Sequence, residues 1–178
     1  MKKINFKKSV KIIALFLLFA LFIGCGYAFA PQGNYVDKRI QKIYVEPFGN
    51  KTPQAEIENF VRTAFINHLI QYSRFKVVGS AAQADATIKG TIRHYSADTL
   101  SYRPNKLAAE ERVSTTLEVV FRDKENDKVL WSSKGIRGTV EYDLEDNINL
   151  IPIARKNALI KLANDTAEKA VNLMLAGF

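Results

Sequence analysis

Apolar and polar positions alternate along the chain in two distinct periods, and the change of period marks the elements. Ile43-Tyr44-Val45-Glu46-Pro47-Phe48 reads as a short strand closed by Gly49-Asn50. A helix is predicted next: Thr52 suits the N-cap, Pro53 the first helical position, and Glu56 and Glu58 the positive end of the dipole. Ile57, Phe60, Val61, Ala64, Phe65 and Leu69 recur every three or four residues and give that helix one apolar face. Phe75 to Val78 fits a short edge strand, and Ser80 to Ala84 leads into a period of two. Ala86, Ile88, Gly90 and Ile92 alternate with Thr87, Lys89, Thr91 and Arg93, as Val113, Thr115, Leu117, Val119 and Phe121 do with Ser114, Thr116, Glu118 and Arg122. A third strand runs from about Val129 through Trp131 to Tyr142, with Gly135 and Gly138 as bulge or close-approach points.

The three long strands form an antiparallel meander. Asp123 to Lys128 is its charged hairpin turn, and Arg103-Pro104-Asn105-Lys106 begins a longer connection. From about Leu150 to Leu175, Ala154, Ala158, Leu162, Ala163, Ala167, Ala170 and Met174 make a second helical stripe, with Pro152 confined to the first turn. The expected fold is α+β: a two-layer sandwich, a mainly antiparallel sheet with two helices packed on one face.

Ahead of this fold the pattern changes again. Lys2, Lys3, Lys7, Lys8 and Lys11 precede an unbroken apolar run from Ile12 to Ile23, and Gly24, Cys25 and Gly26 follow. That is the order of a secretory signal, and about twelve apolar residues fall short of the roughly 20 that a spanning helix needs. Phe22-Ile23-Gly24-Cys25 resembles the lipobox of bacterial lipoproteins, although Phe22 stands where an aliphatic residue is usual. The alternative is an ordinary signal with a chance cysteine. The lipobox resemblance implies that residues 1–24 are removed and that Cys25 carries a diacylglycerol and an N-acyl chain. Two or three acyl chains, at roughly 0.8 kcal/mol per buried methylene, hold a protein on a bilayer without a span. Gly26 after the cysteine, where an Asp would mark inner-membrane retention, implies the outer membrane, periplasmic face. Residues 25–39 then serve as the lipidated N-terminus and tether, and residues 40–178 as a single domain.

The charge of the chain looks different once the leader is set apart. Five of its 26 basic residues precede residue 25, so the +8 of the whole falls to +3 for the remainder. That balance and the exported address argue against a nucleic-acid partner. One cysteine and two histidines exclude a disulfide framework and a Cys-rich zinc site. No phosphate-cradling G-x-x-x-x-G-K-S/T, H-E-x-x-H or G-x-S-x-G occurs. His68 and His94 fall on different elements, and Glu110-Glu111, adjacent on a strand, point to opposite faces and so do not share acid-base work. Lys89, Arg93, Arg103, Lys106, Arg112, Arg122, Lys134 and Arg137 are spread over the sheet and its loops, either as a solvated polar face or as partners for an anionic lipid headgroup.

Several segments taken together resemble the lipopolysaccharide-assembly lipoprotein family, LptE. They are Cys25-Gly26-Tyr27, the stretch IYVEPFGNKT from Ile43 to Thr52, the strand Ala84-Asp85-Ala86-Thr87-Ile88-Lys89-Gly90-Thr91-Ile92, and Val129-Leu130-Trp131 followed by Glu141-Tyr142. The resemblance implies a non-enzymatic subunit that plugs and helps assemble the lipopolysaccharide-translocon β-barrel, LptD, and binds lipopolysaccharide during its insertion. It also places a lipopolysaccharide-binding cation in Ser101-Tyr102-Arg103-Pro104-Asn105-Lys106, with Arg103 first and Lys106 second; Pro104 beside the arginine departs from the pattern. An accessory lipoprotein of another envelope or secretion complex is the alternative.

Overall fold

Residues 37–105 and 107–177 are described by a computed structural model. In chain order they form β1 (Lys42–Val45), β2 (Gly49–Asn50), α1 (Ile57–Tyr72), β3 (Lys76–Val77), a 3-10 turn (Ala81–Gln83), β4 (Ala86–Tyr102), β5 (Ala108–Asp123), β6 (Val129–Asp143), a second 3-10 turn (Ile148–Leu150) and α2 (Ile151–Ala176). The sheet order is β3-β1-β4-β5-β6, with β2 also on β4. β1 runs parallel to both β3 and β4, whereas β4, β5 and β6 are the antiparallel meander that the alternation predicts. The α+β class and the two helices over one sheet face are as expected from the sequence.

Both helices seal the face that the period of two makes apolar. Ile57, Val61, Ala64, Phe65 and Leu69 of α1, and Leu159, Ala163, Ala167, Ala170, Val171 and Met174 of α2, pack with Ile43, Val45, Ala86, Ile88, Ile92, Leu117, Val119, Phe121 and Ile136 of the sheet. Full burial of each large aliphatic or aromatic side chain stabilises the fold by roughly 1.5–3 kcal/mol. Two glycines set how closely the layers approach. A Cβ on Gly90 would lie 2.4 Å from the Phe48 ring, and one on Gly138 would lie 1.8 Å from Thr166 Oγ1 and 3.2 Å from Leu162 Cδ1. Gly138 is therefore the predicted close-approach point, where α2 sits directly on β6. Gly135 is the predicted bulge: Leu117 pairs with Ile136 and Val119 with Ser133, which leaves one extra residue in β6 at Lys134-Gly135.

Three local expectations are corrected. Gly49-Asn50 does not turn the chain away; it resumes parallel pairing, Gly49 with Thr91 and Asn50 with Ile92, after Phe48 tucks over Gly90. Thr52 does not cap the helix. Its N–H and hydroxyl both donate to Asn50 Oδ1, and its Oγ accepts from Gln54 N–H, so a side-chain turn occupies the predicted first turn and α1 begins at Ile57 behind a left-handed Glu56 (φ 66°). The connection after Arg103 is short, because β4 continues to Tyr102 and β5 starts at Ala108. β4 outruns its helical cover, whereas β5 at the same level does not: Asn50, level with Ile92, also holds Glu58 in the first turn of α1, and the inner-face positions Ala97 and Thr99 beyond it are exposed, while Val113 and Glu111 opposite them are buried.

Candidate functional site

Two polar clasps lie at the far end of the meander, where the β4–β5 turn meets the start of α2. In the turn, Arg103 N–H donates to Leu107 O (2.8 Å) and Leu107 N–H to Asn105 Oδ1 (3.1 Å), so the backbone closes on itself. The Arg103 guanidinium then reaches outwards. It donates to Ala108 O (3.1 Å) and Leu144 O, and pairs with Asp146 (2.8 Å). Leu144 N–H in turn donates to Ala109 O (2.8 Å), so the segment after β6 is fastened to the hairpin. The arginine is mostly buried, its side chain 22% exposed, whereas Asp146 is 92% exposed. Arg103 thus has a structural role here and one ionic partner that faces solvent.

The second clasp is centred on Glu111, which occupies the same inward face of β5 as Val113 and is buried. Tyr142 Oη donates to it (2.5 Å), and the Arg155 guanidinium from the first turns of α2 donates twice (2.7 and 3.2 Å). The arginine bonds hold the Glu111 carboxyl below its usual range, outweighing a burial effect that pushes it up. Burial and the neighbouring carboxylate push the Tyr142 phenol up, so it stays protonated and donates. No residue of α2 before Ala158 is buried, which makes Arg155 the fastening of its first two turns to the sheet.

At the opposite end, Arg39 donates to Asp123 (2.5 Å) and Glu125 (2.5 Å) of the β5–β6 turn. Asp85 accepts the N–H groups of Gln41 (2.9 Å) and Lys42 (2.8 Å). The Arg39 bond lowers the Asp123 carboxyl, and the two backbone donors lower that of Asp85. The chain therefore enters the sheet at a fixed point.

The uncovered face of the sheet carries the remaining cations foreseen in the sequence. Arg93 pairs with Glu118, Arg112 with Glu141 (2.5 Å) and Arg122 with Asp127 (3.1 Å). Lys89, Lys134 and Arg137 have no carboxylate partner among the described residues, and between them stand the hydroxyls of Ser96, Ser114, Thr116 and Thr139. His68 stacks on Tyr72 within α1, while His94 is exposed on β4 opposite Thr116. Among the described residues no three potential ligand side chains converge on a metal position. Cys25 and Lys106 lie outside the described residues.

Sequence reasoning correctly separated Glu110 from Glu111 but stopped at the separation. Counting back by two from Val113 puts Glu111 among the buried positions, and a carboxylate there signals a buried partner.

Comparison with known proteins agrees with this architecture. A family model described as LptE, lipopolysaccharide-assembly, matches residues 40–174. Among solved structures, an uncharacterized lipoprotein B from Nitrosomonas europaea is 18% identical, with 77% of this chain and 83% of that chain covered at a TM-score of 0.52. A rare lipoprotein B from Shewanella oneidensis is 14% identical, with 75% and 93% covered and a TM-score of 0.50. A protein from Xanthomonas campestris is 10% identical, with 83% and 89% covered and a TM-score of 0.55. At these identities the likeness is one of fold. No curated protein sequence matches the chain significantly.

Proposed function

We propose, since this chain belongs to the LptE family of lipopolysaccharide assembly, that it is a non-enzymatic lipoprotein of the outer membrane that plugs and helps assemble the translocon β-barrel LptD and binds lipopolysaccharide on its way to the outer leaflet. The observation that carries the reading is the extent of the family match, which from residue 40 to 174 takes in the whole sheet, α1 and all but the last two residues of α2. The physical features support it. A sheet face of hydroxyls and cations suits the polar lumen of a large barrel, and the acyl chains on Cys25 would hold the protein at the periplasmic face of the membrane.

For lipopolysaccharide itself, the family pattern directs attention to Arg103 and Lys106. Arg103 keeps its carbonyl partners and can exchange the solvent-exposed Asp146 carboxylate for a phosphate, a bidentate acceptor that guanidinium favours. Asp146→Asn removes the competing carboxylate and should tighten lipopolysaccharide binding by up to about fivefold, the value of an exposed ion pair. Lys106→Glu should weaken it, and unchanged binding in both variants would discard this site.

Gentle purification of the acylated protein from outer membranes, with partners identified by mass spectrometry, tests the function as a whole. A large translocon barrel at one-to-one is the expected result. Another envelope complex in its place would favour the accessory-lipoprotein reading.

A further inference from the structure

β6 is an outermost strand of the sheet and pairs with β5 alone. A strand in that place turns every second backbone N–H and C=O away from its neighbour. Two bonds fix which residues do so here. Leu144 N–H donates inwards to Ala109 O (2.8 Å), so Tyr142, Val140, Gly138 and Ile136, in step with it, exchange their backbone bonds with β5. Arg137 O faces outwards, where it accepts from Lys169 Nζ of α2 (3.2 Å), and Thr139, Glu141 and Asp143 follow it. Apart from that one carbonyl, the outward backbone groups of these residues have no partner among the described residues.

Edge strands are ordinarily guarded by bulges, by lysines or by being short. The first half of β6 has such a guard in the Lys134-Gly135 bulge, and the opposite edge of the sheet, β3, is only Lys76–Val77. From Ile136 to Asp143 the register runs unbroken, with Gly138 and Val140 buried and Arg137, Thr139 and Glu141 exposed. An extended peptide presents the matching alternation of N–H and C=O.

The helix above the edge narrows the occupant. α2 sits directly on β6 at Gly138, and a two-fold pairing of two β6 edges would set two such helices over strands about 4.8 Å apart, whereas packed helices need about 8–10 Å. A strand with no helix over it meets no such obstacle. Beside the edge, α2 carries an open groove of about 480 Å³ lined by Asp165, Glu168, Lys169, Asn172, Leu173 and Ala176, and Lys169 ties that groove to Arg137. Asp165 shares Lys161 (2.9 Å), and Glu168 has no cationic partner among the described residues. Helix-facing side chains of an added strand therefore meet carboxylates, which Lys or Arg would match.

We propose that the outer edge of β6, from Ile136 to Asp143, takes up an extended segment of a protein partner as an added strand, with Lys or Arg of that segment against Asp165 and Glu168. The edge and the groove carry this inference by themselves; naming the partner as the translocon barrel rests on the function proposed above.

The test uses the full-length lipidated chain in cells, with a photo-crosslinking amino acid placed singly at Glu141 or Asn172, and at Asn67 on the exposed side of α1 as a control. Adducts to one protein are expected at the first two positions, mapping to one segment with Lys or Arg at alternate positions. Thr139→Pro removes an outward N–H and none of the bonds between β6 and β5, so it should lower the yield about fivefold or more. Thr139→Ala loses the same hydroxyl contact to Ser114 (3.3 Å) but keeps the N–H, and should leave the yield within about twofold. Glu168→Lys should lower the yield at Asn172 about threefold. Thermal transitions at the parent's position show intact folding; if Thr139→Pro does not fold, Glu141→Pro with the crosslinker at Asn172 makes the same test at the next outward N–H. Equal yields in the proline and alanine variants, adducts only to a second copy, to lipid or to residues 25–36 of this chain, or no adducts at the two positions would overturn the proposal. If the proline–alanine contrast holds on a protein other than a barrel, the docking edge stands and the barrel reading falls.

Discussion

Gly138 is the position at which the two layers are closest, so a single methyl group there should be felt across the domain. In Gly138→Ala the new Cβ would start 1.8 Å from Thr166 Oγ1, against an ordinary contact of 3.4 Å or more, and 3.1 Å from Thr166 Cβ. Rotating the threonine relieves the first clash but not the second, and it breaks the 2.6 Å bond from its hydroxyl to Leu162 O. If the helix moves instead, it must lift by about 1.6 Å, which draws Arg155 away from Glu111. Overpacking of this kind costs about 2–3 kcal/mol, or about 4–12 °C in Tm for a chain of this size. Trp131, the single tryptophan and nearly buried on β6, reports urea unfolding by fluorescence. Thr166→Ala alone should cost about 1 kcal/mol for its hydroxyl and methyl groups. The double variant should recover most of the Gly138→Ala loss, giving a coupling of at least about 1 kcal/mol. Losses that simply add, or a Gly138→Ala midpoint equal to the parent's, would refute the close-approach account.

Other perturbations address the clasps and the anchor. Glu111, Asp85 and Asp123 all sit below their ordinary values of 4.5, 3.8 and 3.8 in the folded chain, so their contribution is complete above those values and is lost as the pH falls through the lower folded ones. Urea midpoints should therefore hold from neutrality to about pH 5 and fall below it, with a shallower fall in Glu111→Gln; a midpoint that rises on acidification would contradict this sign. Arg155→Ala should cost only about 1 kcal/mol overall, because its side chain is 57% exposed, yet hydrogen exchange should rise sharply from Ile151 to Asn157 and leave the rest of α2 protected. Gly90→Ala should expel the Phe48 ring and destabilise the pairing of β2 with β4, visible as lost protection at Lys51, whose N–H donates to Ile92 O. Cys25→Ala should abolish acylation; an unchanged acyl mass in the variant would remove the lipobox reading.

The parts of the fold that were legible are those in which one residue faces the core and the next faces water. Ala86 to Ile92 and Val113 to Phe121 announced both their strands and their buried faces. The same rule failed beyond Ile92 for a specific reason. Extra residues at Arg93, Leu100 and Ala109 shift the pairing of β4 against β5, so the period of two breaks although the strands continue. On β4 beyond Ile92 the inner-face positions Ala97 and Thr99 are exposed, so no hydrophobic pattern marks that strand although it stays paired as far as Tyr102. The start of α1 was displaced because Asn50, assigned to a turn, instead binds Thr52, Gln54 and Glu58. The clasps were hidden by distance: Arg155 and Tyr142 lie 44 and 31 residues from Glu111, and Arg39 lies 84 from Asp123. Local periodicity carries no information about pairings of that span.

The Arg39 clasp has a mechanical consequence. A pull on the chain ahead of Arg39 reaches the sheet through a residue bolted to the β5–β6 turn and then through β1, an interior strand bonded along both edges to parallel neighbours. Load applied along β1 from its N-terminal end shears those backbone bonds together rather than opening them one after another. A load entering by this route is therefore shared by several backbone bonds at once, where a pull across the sheet would meet them singly.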